Sequence, residues 1–379
     1  MRSSTFVRRL LPCAVIAVAA CSDANAPTTI ANPAAVLADL LAVDSVFDSD
    51  AYRALQDLSG FIPVLAPPAI DRLVAGLRLA LPPVGRRLPR GDASLLAGIL
   101  GASSRPPVLP DTLLGLTFEW QPDSVRYVAS GRSGAPPNGV RFILYETDPL
   151  TSRPDTGLEV GSLDILDLAP AAGAQLRFLV RGVSGTPTLL DYTLNFLSGP
   201  GTTRVGAAGF VSNGVAGARE RRFTFSAALS STATAAGAED SVAFSYGLNV
   251  PDVAVALQVA RSVDTLQDTT LTATDYRLTR RTEDIGLLGV ETKTNAGSRE
   301  DGQFAVGVNG HLYAVLTIIN GHGVITDRNS SVVPIDLTDQ RYEDDVMAIM
   351  ALGVLSSSAI LVDVLAIPAF LLGFTIGLL

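Results

Sequence analysis

The sequence predicts an α+β protein that is mostly β: an N-terminal helical region, then a large curved antiparallel sheet (a meander), and an apolar C-terminal helical segment packed on that sheet. Apolar residues recur at helical spacing before residue 108, and from about residue 113 they alternate with polar ones. After residue 345 the chain is almost uncharged. The predicted boundaries are 32–108 for the helical region, 109–342 for the antiparallel β domain and 343–379 for the C-terminal segment.

The helical region begins at Asn32-Pro33, because asparagine can cap a helix and proline suits its first position. Apolar residues then recur at helical spacing, at Val36, Leu37, Leu40, Leu41 and Val43. A second helix is predicted to start at Ser49-Asp50 and to end at Gly60. Two further helices, separated by turns that contain proline and glycine, are predicted at 69–81 and 93–100.

The β domain is predicted from apolar and polar residues that alternate with a period of two. The clearest segments are Leu116–Trp120, Leu176–Val180, Tyr192–Phe196, Phe223–Phe225 and Val242–Tyr246. Asn-Gly pairs favour two-residue type I′ turns, since both central residues of that turn need positive φ. These pairs occur at 138–139, 213–214, 309–310 and 320–321. Together the two patterns predict a meander of hairpins.

Gln303–Thr326 gives the most detailed prediction, because two Asn-Gly turns divide it into strands 303–308, 311–319 and 322–326. The turns set the register and pair Val308 with His311 and Ile319 with His322. One face would carry Phe304, Val306, Val308, Tyr313 and Val315, and the other would carry Ala305, Leu312, Ala314, Leu316 and Ile318. Both faces are apolar, so we expect this part of the sheet to be covered on both sides.

The C-terminal segment has three readings. Its last run, Ala359–Leu379, has the length of a membrane-spanning helix. Pro368 lies within the run and no lysine or arginine follows it, which argues against a span. We favour burial of the segment against the sheet. The alternatives are an inner-membrane or interfacial segment, and a propeptide or disordered tail.

The first twenty-one residues form a secretory pattern. Arg2, Arg8 and Arg9 make the beginning positive, and the apolar run Leu10–Ala20 is too short to span a bilayer. The next residue is Cys21, preceded by Val18-Ala19-Ala20. This segment resembles the lipobox of bacterial lipoproteins, in which an aliphatic residue and two small residues precede a cysteine.

The lipobox resemblance implies a signal peptide at 1–20 and lipidation at Cys21, which would become the first residue of the mature chain. Residues 21–31 then read as a flexible tether. Ser22 beside the lipidated cysteine implies sorting to the outer membrane, with the periplasmic or the surface face left open. Lipid on Cys21 would attach the protein to the membrane. The alternative is an ordinary cleaved signal in which Cys21 is incidental.

Composition argues against nucleic acid as a partner and against a disulfide. Loss of the three leader arginines takes the formal net charge from −9 to −12. So acidic a chain offers nucleic acid no counterion-releasing surface. Both cysteines, Cys13 and Cys21, lie at the leader, so we expect no disulfide in the mature chain.

Motifs for chemistry are sparse, and we expect no metal, no cofactor and no enzymatic activity. His311 and His322, the only histidines, would lie about 27 Å apart along the ladder, too far to share a metal. The serine motifs around Ser133 and Ser184 lack the final glycine of a nucleophile elbow. Asp164 and Asp167 remain open as a paired-carboxylate site.

These observations favour a non-catalytic envelope lipoprotein that binds a lipid or another hydrophobic ligand in the trough of the sheet. One alternative is a structural or adhesive cell-surface protein whose sheet edge pairs with a partner. The other is a hydrolase with an unrecognised carboxylate site. The sequence leaves the ligand and the oligomeric state open.

Overall fold

The structure is a computed structural model, and it describes residues 30–43, 46, 50–60, 109, 111–148, 150–151, 153–168, 174–183, 187–281, 283–294, 299–320, 322–327, 332–335 and 357. Most of these residues belong to one sheet of sixteen strands. The protein is therefore mostly β, and its sheet is almost wholly antiparallel, as predicted.

The strands follow one another in chain order across most of the sheet. They are β1 (Thr117–Gln121), β2 (Arg126–Ser130), β3 (Gly139–Asp148), β4 (Arg153–Asp167), β5 (Ala174–Gly182), β6 (Thr188–Gly199), β7 (Thr202–Ser212), β8 (Arg222–Thr234), β9 (Gly237–Leu248), β10 (Val253–Asp264), β11 (Thr269–Arg280), β12 (Glu283–Thr294), β13 (Arg299–Val308), β14 (His311–Ile319), β15 (His322–Asp327) and β16 (Val332–Ile335). All five segments predicted from alternation contribute to strands.

The meander is broken at its beginning. The spatial order there is β4-β3-β1-β2, so β1 lies between β2 and β3 and pairs with β3 in parallel, Phe118 opposite Phe142. The predicted two-residue hairpin turn at Asn138-Gly139 is therefore wrong. The turn predicted at Asn213-Gly214 is also wrong, since β7 and β8 are joined by residues 213–221, which include a one-turn 3-10 helix, Gly217–Arg219.

The hairpin at Asn309-Gly310 is confirmed, with both residues at positive φ (50° and 79°) and Val308 paired with His311. The pairing of Ile319 with His322 is confirmed too. The predicted faces are wrong beyond the turn. A bulge at Val306/Gly307 shifts the register, so Val306 faces Ala314 instead of Tyr313.

The bulge has a direct consequence for burial, because a shift of one residue exchanges the two faces of a strand. Ala314, Leu316 and Ile318 are buried with Phe304 and Val306. The opposite face of β14 is more open, and Leu312 and Ile319 are each more than half exposed. Tyr313 and Val315 between them are partly buried, so the expectation that both faces are covered fails at Leu312 and Ile319.

Two of the predicted helices are present, α1 (Pro33–Leu41) and α2 (Asp50–Gly60). The side chain of Asn32 accepts a hydrogen bond from the backbone N–H of Ala35 at 3.0 Å, which is the expected N-cap. The helix α2 packs on β3 to β6. The helices predicted at 69–81 and 93–100 lie outside the described residues. The C-terminal helical segment, 343–379, does too, except for Ser357, which is buried.

The sheet has one apolar face and one polar face. Buried and more exposed side chains alternate in the central strands, as in β8, where Phe223, Phe225, Ala227 and Leu229 are buried, whereas β3 buries four consecutive residues, 142–145. The apolar residues of α1 and α2 belong to the same core. The polar face carries ion pairs between neighbouring strands, including Arg177 with Asp191 and Arg277 with Asp284.

Candidate functional site

The side chains on the apolar face of the sheet become polar towards one end of the strands. Across the middle of β8 to β13, cross-strand neighbours are large and apolar, and they include Phe244, Leu257, Tyr276, Leu287 and Val306. Four residues further along each strand, which is two positions on the same face, polar side chains replace them. We call this set the polar row: Ser231, Asp240, Arg261, Thr272 and Glu291, which are successive neighbours from β8 to β12.

The first half of the polar row is linked by hydrogen bonds and charge. The hydroxyl of Ser231 donates to Asp240 Oδ1 at 2.8 Å, and Arg261 Nη1 lies 3.6 Å from Asp240 Oδ2. The Nε atom of Arg261 is buried and has no hydrogen-bond partner. A buried donor without an acceptor costs free energy, so this guanidinium can still accommodate a polar group.

At the β12 end of the polar row, Glu291 lies beside a second carboxyl group, that of Glu300. Glu291 lies on the buried side of β12, and Glu300 of β13 is in hydrogen-bonding contact with it. Lys293 Nζ lies 3.9 Å from Glu300 Oε2. Burial, together with the negative charge of Glu300 and the hydrogen bond to it, raises the pKa of Glu291 to about 7, against the opposing effect of Lys293. This pair can hold or release a proton near neutral pH.

Sequence reasoning missed the polar row, although the signal was present. In β12 the residues at every second position after Ile285 are Leu287, Gly289, Glu291 and Lys293. A strand that alternates places all of them on one face, so an apolar face must become polar between Gly289 and Glu291. The partners on β10 and β11 could not be assigned without the register.

Tyrosine hydroxyls form a second polar feature, within the apolar part of the face. Tyr276 is fully buried and its hydroxyl has no hydrogen-bond partner. Burial raises the pKa of Tyr276 well above its usual range, with a further contribution from Tyr246. The hydroxyl of Tyr246 lies 3.5 Å from the hydroxyl of Ser357. The C-terminal segment therefore contacts the apolar face at this residue.

Asp164 and Asp167, which the sequence left open as a paired-carboxylate site, have their side chains on opposite faces of β4. Asp164 lies on the face opposite Leu163 and Ile165, and three residues along a strand put Asp167 on the other face. Asp164 is only 3 % exposed and pairs with Arg141 at 2.6 Å and with Arg181 at 3.0 Å. An aspartate held by two guanidiniums is suited to a structural role rather than to proton transfer.

The other residues considered from sequence do not converge on a site. His311 and His322 begin successive antiparallel strands, and Ile319, at the far end of β14 from His311, pairs with His322. Ser133 lies exposed in the connection between β2 and β3. Ser184 and the lipidation candidate Cys21 lie outside the described residues.

No cluster of three or more His, Cys, Asp or Glu side chains in the described chain is arranged to hold a metal ion. None of the helices in the described ranges is long and apolar enough to cross a membrane. No protein-family model, no curated protein and no solved structure matches this chain.

Proposed function

We propose that the protein is a non-catalytic envelope lipoprotein, attached to the outer membrane by lipid on Cys21, whose sheet binds a hydrophobic ligand on its apolar face. The observation that carries the binding proposal is the gradient on that face. Large apolar side chains such as Phe244 and Leu257 are replaced by the polar row four residues further along their strands. An amphiphile, with an apolar chain and a polar head, has the same gradient.

The polar row supplies groups for the head of such a ligand. Arg261 has a buried Nε without an acceptor, and Glu291 lies two strands away, about 10 Å across the sheet. Between them is the buried hydroxyl of Thr272. Donors and acceptors of this variety suit a head that both donates and accepts hydrogen bonds.

Binding is tested by mass spectrometry of lipids extracted from the full-length protein after purification in detergent. We expect an amphiphile to accompany the wild type and to be depleted several-fold in Arg261→Met. The exposed Arg126→Met on β2 is the matched control and should retain it. If the wild type carries no amphiphile, or if both variants carry it equally, the binding proposal fails and the structural or adhesive alternative gains support.

Attachment is tested separately, by incorporation of radiolabelled palmitate followed by membrane fractionation. We expect wild type and Cys13→Ser to be labelled and to fractionate with the outer membrane. Cys21→Ser should be unlabelled and should leave that fraction. Labelling of Cys21→Ser would refute the lipidation proposal without affecting the binding proposal.

A further inference from the structure

The polar face of the sheet contains a trough that the apolar-face proposal does not use. It lies across β8 to β11, has a volume of about 500 Å³ and is lined mainly by small and hydroxylated side chains. The lining residues on the polar face are Thr224, Ser226, Ser245, Gly247, Ala254, Ala256, Arg277 and Thr279. This volume falls within the range of small-ligand sites.

The register explains why the trough exists. One row of neighbours runs from Phe210 through Thr224, Gly247, Ala254 and Thr279 to Asp284. The row crosses six strands, a span of about 24 Å. The side chains at the two ends of this row are the largest and those in its middle are the smallest. The middle of the row therefore forms the floor of the trough, and its two ends form the walls.

Both walls carry a guanidinium that is already paired. At one wall the guanidinium of Arg222 lies 4.2 Å from the centre of the Phe210 ring and pairs with Glu220 at 2.9 Å. At the other wall Arg277 donates to both carboxylate oxygens of Asp284, at 2.8 and 2.7 Å. Asp275 lies on the same face as Arg277, two residues away.

The side chains of the floor and walls argue against several classes of ligand. The two guanidiniums face three carboxylates, so an anion such as a phosphate finds no net positive charge. The floor lacks the large apolar side chains that a lipid chain needs. The trough is also a face rather than an edge of the sheet, so it offers no free backbone groups for strand addition.

The ligand class that fits the side chains of the trough is a neutral chain rich in hydroxyl groups. The Ser226 and Ser245 hydroxyls can each donate and accept, Arg277 donates, and Asp284 accepts. Planar groups at the wall, the Phe210 ring and the guanidinium above it, give flat surfaces for the apolar side of a sugar ring. We propose that this trough is a binding site for a neutral glycan.

The test uses full-length protein in detergent and isothermal titration with maltohexaose, cellohexaose and chitohexaose, and with heparin as the anionic probe. Ser245→Phe fills the floor. Ser241→Phe is the matched control, since Ser241 is exposed on the same face of β9, four residues away and outside the trough. Thermal unfolding of both variants checks that the sheet is intact.

We expect at least one neutral oligosaccharide to bind wild type and Ser241→Phe, with binding weakened at least about tenfold in Ser245→Phe. Asp284→Asn should weaken binding without filling the trough. The proposal is overturned if no neutral oligosaccharide binds, if only heparin binds, or if Ser245→Phe binds as well as Ser241→Phe. None of these results bears on the ligand of the apolar face, which is on the other side of the sheet.

Discussion

Arg141 donates through Nε and Nη2 to the two carboxylate oxygens of Asp164, at 2.6 and 2.8 Å, and so ties β3 to β4 across the polar face of the sheet. Arg181 of β5 adds a third hydrogen bond to the same carboxylate at 3.0 Å. The bond to Asp164 is the largest contribution that raises the pKa of Arg141. One nearly buried carboxylate therefore links three consecutive strands.

Asp164→Asn should lower the free energy of unfolding by about 2 to 3 kcal/mol, because it leaves two arginines without their common anion. Equilibrium unfolding in urea measures this directly. The control is Asp123→Asn, in an exposed turn, which should change stability by no more than about 0.5 kcal/mol. Equal effects of the two substitutions would show that the pairing contributes nothing.

Glu291 makes stability depend on pH in a defined direction. Its pKa of about 7 in the folded protein lies above the usual 4.5, so the folded state holds this proton more tightly than the unfolded chain does. The contribution of Glu291 to the free energy of unfolding should therefore fall as the pH rises from about 4.5 to about 7. Above pH 7 this contribution should be at its lowest.

Glu291→Gln removes the ionisable group and should raise stability above pH 7 by about 1 to 2 kcal/mol, with the partial exposure of the site taken into account. Below pH 4.5 the variant and the wild type should differ little. Urea titrations at pH 4.5, 6 and 8 provide the measurement. Glu239→Gln, exposed on β9, should leave the pH profile unchanged. A wild-type profile that is flat between pH 4.5 and 8 would contradict this assignment.

Sequence reasoning succeeded where a signal is local. The turn at Asn309-Gly310 was predicted because both residues tolerate positive φ, and the cap at Asn32 because its side chain reaches an N–H three residues on. The sheet as a whole follows from a period of two sustained over many strands. Each of these depends on residues that are close in sequence.

The same reasoning failed where pairing is decided at a distance. The Asn138-Gly139 turn was expected to join adjacent strands, but β1 lies between β2 and β3. The bulge at Val306/Gly307 exchanged the faces of β14, and nothing in the alternation there indicates an extra residue. The polar row joins side chains from five strands, so its detection required the full register.

The helix α1 is held to the sheet by charge as well as by apolar contact. Arg280, at the end of β11, pairs with Asp39 of α1 and with Glu283 of β12 at 3.0 Å. Glu283 also accepts a hydrogen bond from the backbone N–H of Ala31 at 3.1 Å. Two side chains at the end of one hairpin therefore hold the beginning of the described chain.

Arg280→Met should loosen α1 while leaving the sheet intact. Amide hydrogen exchange in 33–41 should become about tenfold faster, and exchange in β8 to β10 should not change. Arg277→Met, which breaks an ion pair on the opposite face of the same strand, is the control and should not affect α1. Unchanged exchange in α1 would mean that apolar contacts alone hold the helix.

We propose that the C-terminal segment beyond Ser357 packs on the apolar face. Ser357 is fully buried beside the Tyr246 hydroxyl, and the largely apolar run Ala359–Leu379 that follows has Asp363 as its only charged residue. If this run covers the apolar face around Tyr246 and leaves the end next to the polar row to the ligand, its deletion exposes side chains that water solvates poorly. The truncated chain should unfold at a lower temperature and bind the dye ANS several-fold more strongly.

Deletion of 22–28 from the expected tether is the control and should change neither property. If the truncated chain stays soluble, with an unchanged unfolding temperature and no added dye binding, the segment does not cover the apolar face.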